Sequence, residues 1–412
     1  MKLNREHSIA LDAEDQLAAY RGKFALPEQE IYLDGNSLGA MPAHLPARMQ
    51  QAVASEWGNG LIRSWNDAGW IDLPQRVAAK IARLIGAEGD EVMVGDSTSV
   101  NLFKALAAAL RLNPGRKVIL TERGNFPTDL YIAQGIAGLF DAEIRYVDSD
   151  EASVLAALDE DVSVLMLTHV NYRSGRIYDM QKITAMAHAA GALCIWDLAH
   201  SAGAVHVELN AAKADMAVGC GYKYLNGGPG APAFVFVASR HLDDVRQPLS
   251  GWHGHAQPFE FLQEYQPAAG INRMQCGTPP LLSMIALDAA LEVFEGLDMQ
   301  QLRAKSRALG DLFIRLVDEK LAGYDFGIAS PRDSALRGSQ VALTHAQGYA
   351  IVQALIARGI TGDFRMPDIL RFGFAPLYVR FVDVYDTVEA IAEIMEKDEW
   401  NQEKFLTKKA VT

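Results

Sequence analysis

The chain has 412 residues, half of them hydrophobic and 22% charged, with a formal net charge of −13. Such a chain can bury a large core and has room for two domains. The acidic balance speaks against a general nucleic-acid binder and against docking on an anionic membrane, but leaves room for an anionic ligand held by local donors.

No apolar stretch follows Met1 to His7, so no secretory leader is expected, and no apolar run approaches the length of a membrane span. The cysteines Cys194, Cys220 and Cys276 are far apart and odd in number. They suit a reduced, cytoplasmic protein, not a disulfide framework or a zinc site. Residues 14–24 read as a helix and 31–39 as a short strand and turn. From about residue 75 the pattern alternates, with helical 76–84 and 100–112 between strand-like 92–94 and 117–120. Further apolar strands are predicted at 143–147, 162–168, 192–196, 216–220 and 233–237, with helical stretches such as 180–190 between several of them. This alternation implies an α/β fold with a mostly parallel sheet covered on both faces. After Thr278-Pro279-Pro280 a long helix over 281–320 is expected to join the domains. Strands at 341–344, 359–362 and 369–374, with helices at 346–357 and 387–397, then form a smaller α+β domain.

Ligands of such sheets bind outside the carboxyl ends of the strands. Asp96, Asp197, His200 and Lys223 all fall at or just past predicted strand ends. Lys223 stands in Gly219-Cys220-Gly221-Tyr222-Lys223-Tyr224-Leu225-Asn226-Gly227-Gly228-Pro229-Gly230, between an apolar strand and a glycine-rich turn. Asp197 lies 26 positions upstream, at the end of another strand. A lysine able to form a Schiff base, with an aspartate to keep a pyridine nitrogen protonated, is what a pyridoxal phosphate enzyme needs. Taken alone, an aspartate at a strand end serves equally as a helix cap, and a histidine such as His200 as a packed core residue. Gly95-Asp96-Ser97-Thr98-Ser99 leaves a strand and opens a helix, a place suited to a phosphate and equally to an ordinary N-cap. Phe126 can stack on a flat ring, and Thr128 with Asp129 can bond ring substituents or form a turn. His253 and His255 form an HxH pair with no third ligand at metal spacing, so no metal is expected.

Together these motifs resemble kynureninase, a fold-type I pyridoxal phosphate family of tryptophan breakdown. The resemblance runs in order along nearly the whole chain. It takes in Leu33-Asp34-Gly35-Asn36-Ser37-Leu38-Gly39, Phe126-Pro127-Thr128-Asp129, His169-Val170-Asn171-Tyr172-Arg173-Ser174-Gly175 and Trp196-Asp197-Leu198-Ala199-His200. It continues through the Lys223 segment, Gly251-Trp252-His253-Gly254-His255 and Gly277-Thr278-Pro279-Pro280. It implies a mixed, mostly parallel seven-stranded sheet in a large domain over 51–290. It further implies an N-terminal segment, 1–50, that contributes to the site, and a small domain over 291–412. The implied reaction is hydrolysis of L-kynurenine to anthranilate and L-alanine, in a homodimer with shared active sites.

The resemblance also implies roles. Lys223 would carry the cofactor, Asp197 would meet the pyridine nitrogen and Phe126 would lie against the ring. Asp129, Thr168 and His200 would surround the cofactor. Thr98, Ser99, Tyr222, Trp252 and Thr278 would meet the phosphate, with Trp252 and Thr278 supplied by the partner chain. Tyr222 would also serve acid–base steps. Arg371 would grip the substrate α-carboxylate in bidentate fashion, with Ser37 and Trp65 at the substrate. Trp65 and Gly277-Thr278 follow the bacterial pattern, which implies 3-hydroxykynurenine as the poorer substrate. The competing readings are another fold-type I enzyme, such as an aminotransferase or a cysteine desulfurase using Cys276, and a non-catalytic protein that keeps the fold.

Overall fold

A computed structural model describes residues 3–408. The strands are β1 (Ile31–Tyr32), β2 (Val92–Val94), β3 (Val118–Glu122), β4 (Glu143–Val147), β5 (Val162–Thr168), β6 (Leu193–Asp197), β7 (Met216–Cys220) and β8 (Ala233–Val237). They are followed by β9 (Gly327–Ile328), β10 (Gln340–Thr344), β11 (Ile360–Thr361), β12 (Asp363–Arg365) and β13 (Ile369–Gly373).

Seven strands form the large sheet, in the order β2-β8-β7-β6-β5-β3-β4. Only β8 runs against its neighbours, pairing antiparallel with both β2 and β7. Every residue of β3, β5 and β7 is buried, as continuous apolar runs in a sheet covered on both faces require. One face is sealed by the helix Thr98–Leu112, whose Leu102, Ala105, Leu106 and Ala109 pack with Ile119, Val164, Ile195 and Val218. Its alanines let the helix sit close to the sheet. Truncating Leu106, fully buried there, to alanine costs about 2–5 kcal/mol.

The second sheet has the order β12-β13-β10-β9, all antiparallel. The amino-terminal segment belongs with this part of the molecule: β1 pairs in parallel with β11, and Asp34 bridges Gly373. Residues 31–37 are thereby carried to the edge of β13.

Four expected elements differ. The expected helix over 281–320 is two helices, Leu281–Ala290 and Met299–Lys320. Gly296 takes the left-handed conformation (φ 72°) and Asp298 caps the second helix, accepting from Gln300 N–H at 2.8 Å. The helix expected over 14–24 lies earlier, at Arg5–Glu14, where Asn4 caps it by accepting from His7 N–H at 2.9 Å. Residues Ala18–Lys23 form only 3₁₀ turns. Phe126-Pro127-Thr128-Asp129 opens a full helix, Pro127–Phe140, with proline in the first turn, where its missing N–H costs nothing. Of the segment 359–362 only Ile360–Thr361 is a strand, β11, and β12 starts just after it at Asp363.

Candidate active site

Strands β5, β6 and β7 are adjacent and parallel, so their carboxyl ends open on one crevice. Thr168 ends β5 and is the register partner of Asp197, which ends β6. Two turns then bring a histidine and a lysine together: Lys223 Nζ lies 3.4 Å from His200 Nε2. Lys223 Nζ also stands 5.8 Å from the centroid of Phe126. The Phe126 ring is braced edge-on by Tyr172 at 5.2 Å. The glycine-rich turn after Lys223 needs its glycines, because Gly228 and Gly230 both have positive φ. Gly39 is needed for a different reason. A Cβ there would sit 2.2 Å from the carbonyl oxygen of Lys223, so the amino-terminal segment closes on the lysine only because Gly39 has none.

Asp197 and Asp129 are both buried at this crevice. Burial raises Asp197, opposed by the charge of Lys223 and by the Ala199 N–H that donates to Asp197 Oδ1 at 2.8 Å. Asp129 is held well above the usual carboxylate range by burial and then by the charge of Asp197, with which it shares a hydrogen bond. Of the two, Asp129 therefore keeps the proton and Asp197 the charge. Asp129 Oδ2 is buried with no protein partner. His200 is pushed well below the usual histidine value by burial, then by the charges of Lys223, Arg371 and Arg365, so it is neutral.

Next to this group a cleft of about 510 Å³ is lined by Asp96, Ser97, Thr98, Tyr222, Gly230 and Thr278. It lies at the amino terminus of the helix Thr98–Leu112, which favours an anion. Ser97 caps that helix, accepting from Val100 N–H at 3.3 Å. The turn before it is held by Asp96 in a left-handed conformation (φ 53°), tied to the fully buried Lys104 at 2.8 Å. The Tyr222 phenol is pushed up, first by burial and then by the neighbouring Cys220 and Asp197, so it keeps its proton.

Arg371, on β13, is buried and does not offer the fork expected of it. Asp363 takes that edge: Arg371 Nε donates to Asp363 Oδ1 at 2.7 Å and Nη2 to Asp363 Oδ2. Nη2 also donates to Ser37 Oγ at 3.1 Å, and Nη1 to the carbonyl of Tyr172 at 2.7 Å. Trp65 and Trp252 stand apart from the 510 Å³ cleft. Trp65 packs on His253 at 6.0 Å and lines a separate cleft of about 350 Å³. Trp252 stacks on Phe261 at 6.1 Å and lines a third cleft. Thr278 borders the cleft of its own chain. Ser99 is in the first turn of the Thr98–Leu112 helix. His255 Nδ1 accepts from Gln257 N–H at 2.8 Å and its Nε2 meets the Glu264 carbonyl at 3.1 Å, while His253 Nε2 is buried without a hydrogen-bond partner.

Asp363, Arg365 and Asn125 carry no sequence signal that singles them out. Asn125 ties two expected residues together, accepting from Phe126 N–H at 2.7 Å and from Thr168 Oγ1. Its place before Phe126-Pro127, where asparagine favours a turn, is the one available hint.

A family model described as the kynureninase C-terminal domain matches residues 302–391, and one for the DegT/DnrJ/EryC1/StrS aminotransferase family matches 63–218. A kynureninase of Pseudomonas fluorescens is 53% identical over 414 residues, covering 99% of each chain. The chain belongs to the kynureninase family. Among solved structures, a cysteine desulfurase from Thermococcus onnurineus NA1 is similar with a TM-score of 0.78 at 18% identity, covering 92% of this chain and 98% of that one. A C-DES variant with glycine covalently linked to its pyridoxal phosphate has a TM-score of 0.79 at 17% identity, covering 90% and 99%. At that identity the likeness shows the fold, which is fold-type I. As a kynureninase-family member this chain is a pyridoxal phosphate enzyme. Its crevice fits the cofactor: a lysine at hand, an anionic Asp197 with a protonated neighbour, and an unpartnered buried oxygen on Asp129. No helix among the described residues is long and apolar enough to cross a membrane.

Proposed function

We propose that this chain hydrolyses L-kynurenine to anthranilate and L-alanine, with the cofactor held at Lys223 and its pyridine nitrogen at Asp197. The observation that carries the reading is the approach of Lys223 to the neutral His200 beside the Asp197–Asp129 pair, in a chain of this family. Thr98, Ser99 and Tyr222 are assigned to the phosphate, with Thr278 and Trp252 completing that site in a homodimer. Phe126, Thr168 and His200 border the ring. Residues 1–50 contribute Ser37 to the site, 51–290 form the large domain and 291–412 the small one, of which 409–412 lie outside the described residues.

When bound, pyridoxal phosphate serves as an electron sink for the charge left at the substrate's Cα and Cβ. The protein supplies the rest. Lys223 would hold the cofactor, and its amine, once free, would take the α-proton of the substrate. The neutral His200 adds no competing cation and orients the Lys223 amine. Asp197 stays anionic and balances a protonated ring nitrogen, because Asp129 takes the proton of the pair. Arg371 holds the α-carboxylate, and Trp65 faces the aryl group. Water adds to the γ-carbonyl and the Cβ–Cγ bond breaks. The aryl fragment leaves as anthranilate, a proton is delivered to Cβ, and Lys223 returns a proton to Cα to complete L-alanine. Tyr222, which keeps its phenolic proton, is assigned as the donor at these later steps. Unhydroxylated kynurenine is the preferred substrate and 3-hydroxykynurenine the poorer one.

A desulfurase reading needs an exposed, low-pKa cysteine. Cys194 and Cys220 are buried and Cys276 partly so, and burial raises all three thiols. The test is incubation with L-kynurenine, following anthranilate fluorescence with and without added pyridoxal phosphate. Sulfide release from cysteine without anthranilate from kynurenine would reverse the assignment.

A further inference from the structure

Arginine has five N–H donors. In Arg371 four of them are spent on Asp363 (two), Ser37 and Tyr172, leaving one on Nη1. A carboxylate that reaches Arg371 cannot be gripped by two parallel N–H bonds unless Asp363 gives way. Asp363 is buried and bound from both sides, so it stays. A second guanidinium lies on the same carboxylate: Arg365 Nη2 is 2.7 Å from Asp363 Oδ2 and 3.4 Å from Ser37 Oγ. The side chain of Arg365 is 36% exposed, against 2% for Arg371, so it forms the solvent-facing side of the cluster and has room to turn. Arg371 donates to the carbonyl of Tyr172, whose ring packs on Phe126, and Phe126 stands 5.8 Å from Lys223 Nζ, which ties the Arg371–Asp363–Arg365 group to the rim of the lysine crevice. Asp34 carries only part of a negative charge at neutral pH. Its Oδ1 is buried without a partner, and burial followed by the charge of Asp363 pushes its carboxyl up to about 7. Two guanidiniums thus face one full and one partial carboxylate charge, a small positive excess at neutral pH in a largely buried setting, which favours an anion.

We propose that Arg365 is a second substrate-binding residue, which closes on the α-carboxylate opposite the free N–H of Arg371, while Asp363 sets the spacing of the two guanidiniums. The proposal rests on the reading of Arg371 as the site of the substrate carboxylate. It makes carboxylate recognition a two-arginine property, and Asp363 a positioning residue.

The test uses the holoenzyme and two probes, L-alanine and L-alaninamide, titrated calorimetrically, together with L-kynurenine kinetics. Arg365→Ala is expected to weaken L-alanine about tenfold, the loss of one charge-assisted bond, and to raise KM for L-kynurenine similarly, with kcat within about twofold. L-Alaninamide, which has no carboxylate, should bind the variant as it binds the wild type. Arg365→Lys should recover part of the loss. Unchanged L-alanine affinity in Arg365→Ala overturns the proposal, and so does an equal loss for both probes, which marks a structural role. If the wild type forms no anthranilate from L-kynurenine, the functional reading fails first and takes this proposal with it. A wild type that turns over, with an Arg365→Ala variant indistinguishable from it, sinks the proposal alone.

Discussion

Asp363 and Arg371 are direct cross-strand partners on β12 and β13, and the Asp363 carboxylate occupies the forked edge of the Arg371 guanidinium. Arg371 raises the acidity of Asp363 against the cost of burial, so Asp363 lies below the usual carboxylate range. A depressed carboxylate stabilises the fold above its unfolded pKa, and that contribution is lost as pH falls through the folded value. Asp363→Asn leaves the buried Arg371 uncompensated. It is expected to cost about 3–5 kcal/mol, measured by urea unfolding at neutral pH, and to raise KM for L-kynurenine. The difference from wild type should shrink at acid pH.

Lys223→Ala should abolish anthranilate formation, because Lys223 is the amine assigned to hold the cofactor and move the α-proton, and Lys104 nearby is committed to Asp96 and the Met274 carbonyl. The visible absorbance of the lysine-bound cofactor should vanish as well. Activity like that of wild type in this variant would refute the site assignment.

The two buried aspartates are expected to respond differently to the same change. Asparagine mimics a protonated carboxyl, so Asp129→Asn should keep activity within about tenfold of wild type. Asp197→Asn removes the charge at the pyridine nitrogen and should lower kcat about 10²–10⁴-fold, the range of a lost proton-holding group. Equal losses in steady-state kinetics would reverse which aspartate carries the proton.

Asp215 precedes β7 and binds three cationic or ionisable side chains: His188 at 2.8 Å, His241 at 2.8 Å and Arg240 at 2.6 Å. Burial would raise it, but the hydrogen bonds from His241, His188 and the Cys194 N–H prevail and hold it at about 2. Its stabilisation is present above the unfolded value near 3.8 and is lost as pH falls toward 2. Asp215→Asn should destabilise the protein by about 3 kcal/mol at pH 7, and by much less near pH 2.5, in denaturant melts.

Trp65 meets Trp70 edge-on and lies tilted against His253, so one side of its ring is fixed while the other lines a cleft. The ratio of kcat/KM for L-kynurenine to that for 3-hydroxykynurenine should exceed one, and Trp65→His should lower it. A wild type that favours the hydroxylated substrate defeats this prediction.

Local patterns were enough to locate Lys223, Asp197 and His200, because strand ends and glycine turns are written in neighbouring residues. The helix boundary at Gly296 and Asp298 was also written locally, but the apolar periodicity running through it hid the break. The Pro127–Phe140 helix was hidden differently: its opening residues are turn formers, and only its packing makes it helical. Asn4 at the head of Arg5–Glu14 is a capping signal in a weakly apolar segment, where periodicity has little to register.

By itself the sequence determined the alternation of strand and helix, the parallel sheet, and the lysine and aspartate at adjacent strand ends. These follow from short-range periodicity and turn chemistry. Tertiary structure decided the rest. It set Asp363 against Arg371, brought Ser37 to both across more than 300 residues, and left Asp129 with the proton of its pair. Those outcomes depend on strand register, burial and the distance between charges, none of which exists until the two sheets are assembled.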